Sequence, residues 1–320
     1  MADIGVLFSS AGTGGPTAYG AVIGRLEDAG FDHVFMSEAY NDALTALAII
    51  APRTRTATIG SAIANIYRRH PYLMAMSAAA VADVARGRLV LGLGTGHRTT
   101  NEQRLGLDMS RPVARMREYV TMVRLALDSG GRPFDFDGEF YRAHGAVLRW
   151  PPAERVPIVL AALGPRMVEL AGETADAIVT STATAAQITG YRRILDETAD
   201  RVGRPRGRIY CVIATCLAAR RDEARDRLRV RVENALEHPT FYRGQVARGR
   251  SRDGRLGDDE IDALGIAGPP ASARERLAEY RESGVDVPLL APFTADPADR
   301  AGGFRAFSAG SFLELTSVVG

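Results

Sequence analysis

His97 closes the stretch "RLVLGLGTGH" (88–97), in which Gly92, Gly94 and Gly96 recur at every second position after an apolar run. An imidazole needs little tuning to exchange protons near neutrality. Glycines at the end of a strand let a ligand lie close against the backbone. A proton donor beside a bare strand end suits general acid–base work on a flat, bound molecule. A dinucleotide fingerprint would need G-x-G-x-x-G at the first turn of a βαβ unit. The G-x-G-x-G here falls on a fourth strand, so that reading fails. The second titratable candidate is Glu38 in "MSEAYND"; an ion pair with Arg68, Arg69 or Arg98 is its competing role.

The residue inventory removes other chemistries. The chain holds no lysine, so all 40 basic residues are arginine, which excludes a Schiff-base enzyme and a Walker A phosphate loop. No H-x-x-x-H, C-x-x-C or clustered carboxylate spacing predicts a metal. The G-x-S-x-G elbow of a serine hydrolase is also missing.

Strand-length apolar runs alternate with helical periods, beginning "IGVLFSS", "PTAYGAVIGRLEDA", "HVFMSEA". Further strands are expected at "TATIGSAIAN", "RLVLGLG", "VPIVLAAL", "DAIVTST", "RIYCVIATCLA" and "VPLLAPF". Eight strands separated by helices predict a closed (β/α)8 TIM barrel, an α/β fold whose C-terminal strand ends build the active site. One barrel domain over 1–320 is expected, with a hairpin insertion over about 130–156 around Asp137-Gly138 and a long loop with a short helix over about 238–270. That loop carries Arg243, Arg248, Arg250, Arg252 and Arg255, read as a solvated segment or an anion-gripping lid.

The rim then receives Ser37, Glu38 and Tyr40 from the second strand, and Ser61, Asn65, Tyr67, Arg68 and Arg69 from the third. Gly94, Thr95 and Gly96 would floor the pocket. "LAALGPRM" ends in a Leu-Gly-Pro turn, so Gly164, Pro165 and Arg166 open a helix whose free N–H groups would hold a phosphate. Ser181 and Thr182 would add hydroxyls to the same anion, or cap the following helix.

Hydrophobic residues at 46% and charged residues at 24% suit a globular core. A net charge of +2 with interleaved signs predicts no nucleic-acid partner. No apolar run of membrane length and no basic leader occur, so a cytoplasmic enzyme with no membrane role is expected. Cys211 and Cys216 read as inert core thiols on opposite faces of one strand. A small-molecule substrate and a second copy of the chain are the expected partners.

The chain resembles the bacterial luciferase-like superfamily, and within it the branch using the deazaflavin F420, with likeness to methylene-tetrahydromethanopterin reductases. The motifs are "FDHVFMSEAYND", "IGSAIANIYRRHPYLMAMSAAA", "GRLVLGLGTGHR", "DGEFYRAHGAVL", "VPIVLAALGPRMVELAGETADAIV" and "IAGPPASARERLAEYRESGVDVPLL". The resemblance implies F420 at the barrel mouth, against a third strand with a cis peptide at Ser61–Ala62. Ile63, Ala64, Gly94, Thr95, Gly96 and Thr100 would lie beside the ring. Ala161, Ala162 and Gly164 would meet the cofactor's side chain and phosphate. The pattern departs at Ala39, where relatives often place histidine, at His97, where the reductases carry aspartate, and at Leu7, where they bring an acidic residue. The implied activity is hydride transfer between the deazaflavin C5 and a C=N, C=O or C=C substrate contacted by Tyr40, Tyr67 and Arg68. An FMN-dependent monooxygenase and a non-catalytic deazaflavin carrier are the rival readings.

Overall fold

Val, Ile and Leu recur through the short apolar runs, and burial on both faces makes them strands of a parallel sheet. The computed structural model describes residues 3–8, 15–236, 255–292 and 314–319. Its first half runs β1 (Gly5–Phe8), α1 (Gly15–Asp28), β2 (His33–Met36), α2 (Ala43–Ile50), β3 (Thr58–Ser61), β4 (Ala64–Asn65), α3 (Pro71–Val84), β5 (Leu89–Gly94) and α4 (Pro112–Leu127). A hairpin of β6 (Phe134–Asp137) and β7 (Arg142–Ala146) follows. Then come β8 (Ile158–Ala161), α5 (Pro165–Thr174), β9 (Ala177–Ser181), α6 (Ala185–Arg201), β10 (Arg208–Leu217), α7 (Arg221–Leu236), α8 (Asp258–Leu264), β11 (Gly265–Gly268), α9 (Pro270–Glu282), β12 (Val287–Pro292) and α10 (Thr316–Val319).

Eight parallel strands close in the order β1, β2, β3, β5, β8, β9, β10, β12 and back to β1. This is the expected (β/α)8 barrel. Phe35, Val90, Val159, Val179, Tyr210 and Leu289 fill its interior. The alternate residues of the same strands, such as Val34, Ile178 and Ile213, pack outward beneath the helices.

The expected hairpin is present, and its tip is held by Glu118 of α4. That carboxylate accepts from the backbone N–H groups of Glu139, Phe140 and Tyr141 at 2.9, 2.8 and 3.3 Å. The second insertion, expected as a long loop with a short helix, holds that helix as α8, and after it an unexpected strand, β11, that pairs with the end of β10. Arg243, Arg248, Arg250 and Arg252 lie outside the described residues. No described helix is long and apolar enough to cross a membrane. Cys211 and Cys216 are buried free thiols, which burial pushes up to about 12 and about 11.

Candidate active site

At the C-terminal ends of the strands a cavity of about 530 Å³ opens, within the range of small-molecule and cofactor sites. Its first wall comes from an irregularity in the third strand. Gly60 pairs with Val90 and Ala64 with Leu93, so residues 61–63 oppose only 91–92, a one-residue bulge. The Ser61 hydroxyl fills the gap in the ladder, donating to the Gly92 carbonyl at 2.8 Å and accepting from its N–H at 3.0 Å. The approach is so close that a β-carbon on Gly92 would collide with the Ser61 backbone oxygen. The bulge presents Ala62 and Ile63 to the cavity.

The cis peptide falls at Ala62–Ile63, one residue later than the expected Ser61–Ala62. Ser61 stays in register opposite Met36 and anchored to Gly92, so the chain leaves the ladder only after it.

Thr95, Gly96 and His97 form the floor, braced from below by a buried amide chain. Asn65 Nδ2 donates to Asn101 Oδ1 at 2.9 Å, and Asn101 Nδ2 donates to the Thr95 carbonyl at 2.7 Å. Asn101 itself lies in a π-helical turn, Thr99–Arg104. Asn65 was expected at the rim and braces the floor from beneath; Asn101 was not expected at the site, because a bracing role leaves no periodic trace in the sequence.

Opposite the bulge stand Ala161, Leu163, Val179 and Val212, with Pro112 and Val113 of the first turn of α4. Gly164, Pro165 and Arg166 make one end. There α5 begins with no side-chain cap, and among the described residues Arg166 has no ion pair. Ser181 reaches the cavity, whereas the N-cap of α6 is Thr184 in a capping box with Gln187.

The cavity thus brings together Ala62, Ile63, Thr95, Gly96, His97, Ala161, Gly164, Pro165 and Ser181 of the expected residues. The others sit elsewhere, mostly because strand side chains alternate. Ala162 follows Ala161 and faces the helices, fully buried, and Ala64 does the same on β4. Gly94 is buried beneath Ile63 and Ala161, and its missing side chain makes room for both. Ser61 is spent on Gly92. Thr182 turns away at a left-handed φ of 51°, and Thr100 lies in the π-helical turn outside the lining.

Of the two roles weighed for Glu38, catalytic group or ion-pair partner, the structure shows the ion pair, with Arg69. Glu38 is one step out of phase with the inward-facing Phe35, and its side chain is 1% exposed. It receives the Arg69 guanidinium at 2.9 Å and the N–H groups of Asn65 and Ala43, both at 3.3 Å. It ties the second strand's rim to the third and takes no part in the cavity.

Tyr40, Tyr67 and Arg68 are also outside the lining. Tyr40 is 58% exposed. Arg68 donates to the Ala39 carbonyl at 3.3 Å. Tyr67 packs under Arg115, 5.5 Å from its ring, and burial pushes its phenol up to about 12. His70 accepts from the Tyr72 N–H as the N-cap of α3, and burial lowers its imidazole. Met167, Val113 and Leu163 were missed because apolar lining is indistinguishable in sequence from core.

A family model described as luciferase-like monooxygenase matches residues 5–287. The 5,10-methylenetetrahydromethanopterin reductase of Archaeoglobus fulgidus is 29% identical over 284 residues, 81% of this chain and 84% of that protein. The F420-dependent glucose-6-phosphate dehydrogenase of Intrasporangium calvum is 27% identical over 286 residues, 82% of this chain and 84% of that protein. A solved F420-dependent secondary alcohol dehydrogenase in complex with an F420-acetone adduct superposes with a TM-score of 0.81 at 18% identity, covering 99% of this chain and 98% of that one. At that identity the likeness shows a shared fold.

Proposed function

The chain belongs to the luciferase-like monooxygenase family, and from that premise we propose that it is an F420-dependent oxidoreductase moving a hydride between the deazaflavin and a small organic substrate. The observation carrying this reading is the bulged third strand, which stands as a flat apolar wall across a cavity whose far end is cationic.

The residues present fit that cofactor. Ala62, Ile63 and Ala161 leave a slot without long side chains, as a planar ring requires. Gly164, the uncapped start of α5 and Arg166, which has no ion pair among the described residues, fit an anionic tail, since helix N–H groups and a guanidinium both favour negative charge. The F420-dependent relative supports the same choice. Reduced deazaflavin, when bound, supplies a hydride from C5.

The protein's own contribution is position, shielding and a proton. Ala62 and Ile63 cover one face of the slot, so the substrate must enter from the other. Apolar neighbours exclude water from that space. His97, on the cavity floor and in contact with solvent, holds the proton that the product needs and recovers it from water.

Titrating the purified protein with F420 and with FMN, followed by cofactor fluorescence, tests the reading. F420 is expected to bind in preference, and its reduced form is expected to be oxidised by part of a substrate panel. Preferential FMN binding would favour an oxygen-activating enzyme, and F420 binding without any turnover would favour a carrier.

A further inference from the structure

Gly96 lies between two carbonyls that a third residue holds. Asn101 Nδ2 donates to the Thr95 carbonyl at 2.7 Å, and the Asn101 backbone N–H donates to the His97 carbonyl at 2.9 Å. Asn101 is 0% exposed and lies outside the cavity lining, so it acts from beneath the floor. Gly96 rests on the same amides at a left-handed φ of 65°, where a β-carbon would stand 2.5 Å from Asn65 Nδ2. His97, next in the chain, is exposed and lines the cavity.

The amide chain has a fixed direction. The Tyr67 N–H donates to Asn65 Oδ1 at 2.9 Å, Asn65 Nδ2 donates to Asn101 Oδ1 at 2.9 Å, and the Thr95 carbonyl accepts the last bond. A backbone N–H only donates and a carbonyl only accepts, so each amide satisfies both neighbours in one orientation. The charged groups bordering this chain are paired: Glu38, which accepts from the Asn65 N–H, with Arg69, and Glu102 of the π-helical turn with Arg98.

Glycine is the loosest link a backbone can contain, and here it immediately precedes the proposed proton donor. A misplacement of about 1 Å can cost about 100-fold in rate. We propose that Asn101 is a positioning residue: by holding the carbonyls on both sides of Gly96 it fixes the direction in which the turn presents the His97 imidazole. The inference rests on the reading of His97 as the proton donor given above.

The first test is kinetic and uses protein shown to bind F420, with any substrate that the panel yields. Asn101→Ala is expected to lower kcat about 10-fold or more, with KM and F420 affinity within about threefold. In a His97→Ala background the same change should cost less than about twofold, since there is no imidazole left to aim. Equal losses in the two backgrounds, or a lowered melting temperature with kcat unchanged, overturn the inference. The isosteric Asn101→Asp separates aim from packing. A protonated carboxyl still donates to Thr95 and accepts from Asn65, whereas an ionised one only accepts and repels the Thr95 carbonyl. Its rate relative to the native protein should therefore be near one at low pH and fall as pH rises; a ratio that does not change with pH counts against the proposal.

The second test needs neither cofactor nor turnover. Backbone 15N relaxation is measured at Gly96 and His97, with Leu91 and Ile158 as references within the barrel. The order parameters at Gly96 and His97 are expected to fall from about 0.85 to below about 0.6 in Asn101→Ala, with the references unmoved. Unchanged values at Gly96 and His97 overturn the inference. Should Asn101→Ala not fold, Asn101→Asp at low and at neutral pH carries the same comparison. Failure of F420 to bind sinks the cofactor reading alone, and a native rate in His97→Ala sinks the proton reading alone; in either case the relaxation measurement decides whether Asn101 aims His97.

Discussion

His33 and His97 stand at opposite ends of one barrel and stand in opposite relation to water. His97 is exposed at the mouth, where a proton can be taken from solvent and given to a product. Replacing it with alanine should lower turnover by about 100-fold or more while leaving F420 affinity nearly unchanged. Glu38→Gln should do the reverse, lowering the melting temperature through the lost Arg69 pair and leaving the acid limb of the rate profile in place.

His33 is 5% exposed beside Phe35 and Tyr210. Burial is the largest influence on it and lowers its imidazole from 6.5 to about 4, against a smaller raising effect of Asp3. Between those values the unfolded chain binds a proton that the folded one refuses, so stability is full above pH 6.5 and falls on acidification. The slope should be about 1.4 kcal/mol per pH unit, and His33→Gln should flatten that component in denaturant titrations at a series of pH values.

At the scale of elements, the bulge depends on one missing side chain. Gly92→Ala would drive a methyl into the Ser61 carbonyl, and neither strand can retreat within a closed barrel. The cost should be about 3 kcal/mol or more, seen as a clear fall in melting temperature together with weaker F420 binding. Gly130→Ala, at a turn with open space around it, is the comparison for a glycine strained only by its backbone.

The eight barrel strands were legible because each is a short apolar run between helical periods of distinct spacing. β11 was not, since four residues with glycine at both ends carry no alternation. It exists because β10, ten residues long, offers an unpaired edge past the barrel. The site was legible by location and only partly by residue. Consecutive positions such as Ala161 and Ala162, or Ser181 and Thr182, were expected together, whereas a strand gives the cavity only every second side chain. Glu38 shows the same limit: its place at a strand end was readable, its direction was not.

At the scale of the whole molecule, α2 and α3 carry an apolar face that the barrel does not use. Leu73, Met76 and Val84 are 50%, 45% and 42% exposed on α3, and Ile49 is 37% exposed on the adjoining α2. Their spacing along α3 puts them on one outward stripe, and contiguous exposed apolar surface marks interaction sites. We propose that this face joins two copies of the chain. Sedimentation should show a dimer for the native protein and a monomer for Leu73→Glu combined with Met76→Glu, with the melting temperature of the barrel largely kept.

On the proposed reading the barrel mouth seats a flat cofactor against the bulged third strand. Ala62→Phe places a ring in that slot while leaving Ser61, Gly92 and the strand register untouched. Titrating F420 into the native and Ala62→Phe proteins, both checked for the same fold by circular dichroism, measures the claim directly. The prediction is saturable binding by the native protein and a loss of affinity of about 100-fold or more in the variant, as steric exclusion from a packed site requires. Equal affinity in the two would contradict it.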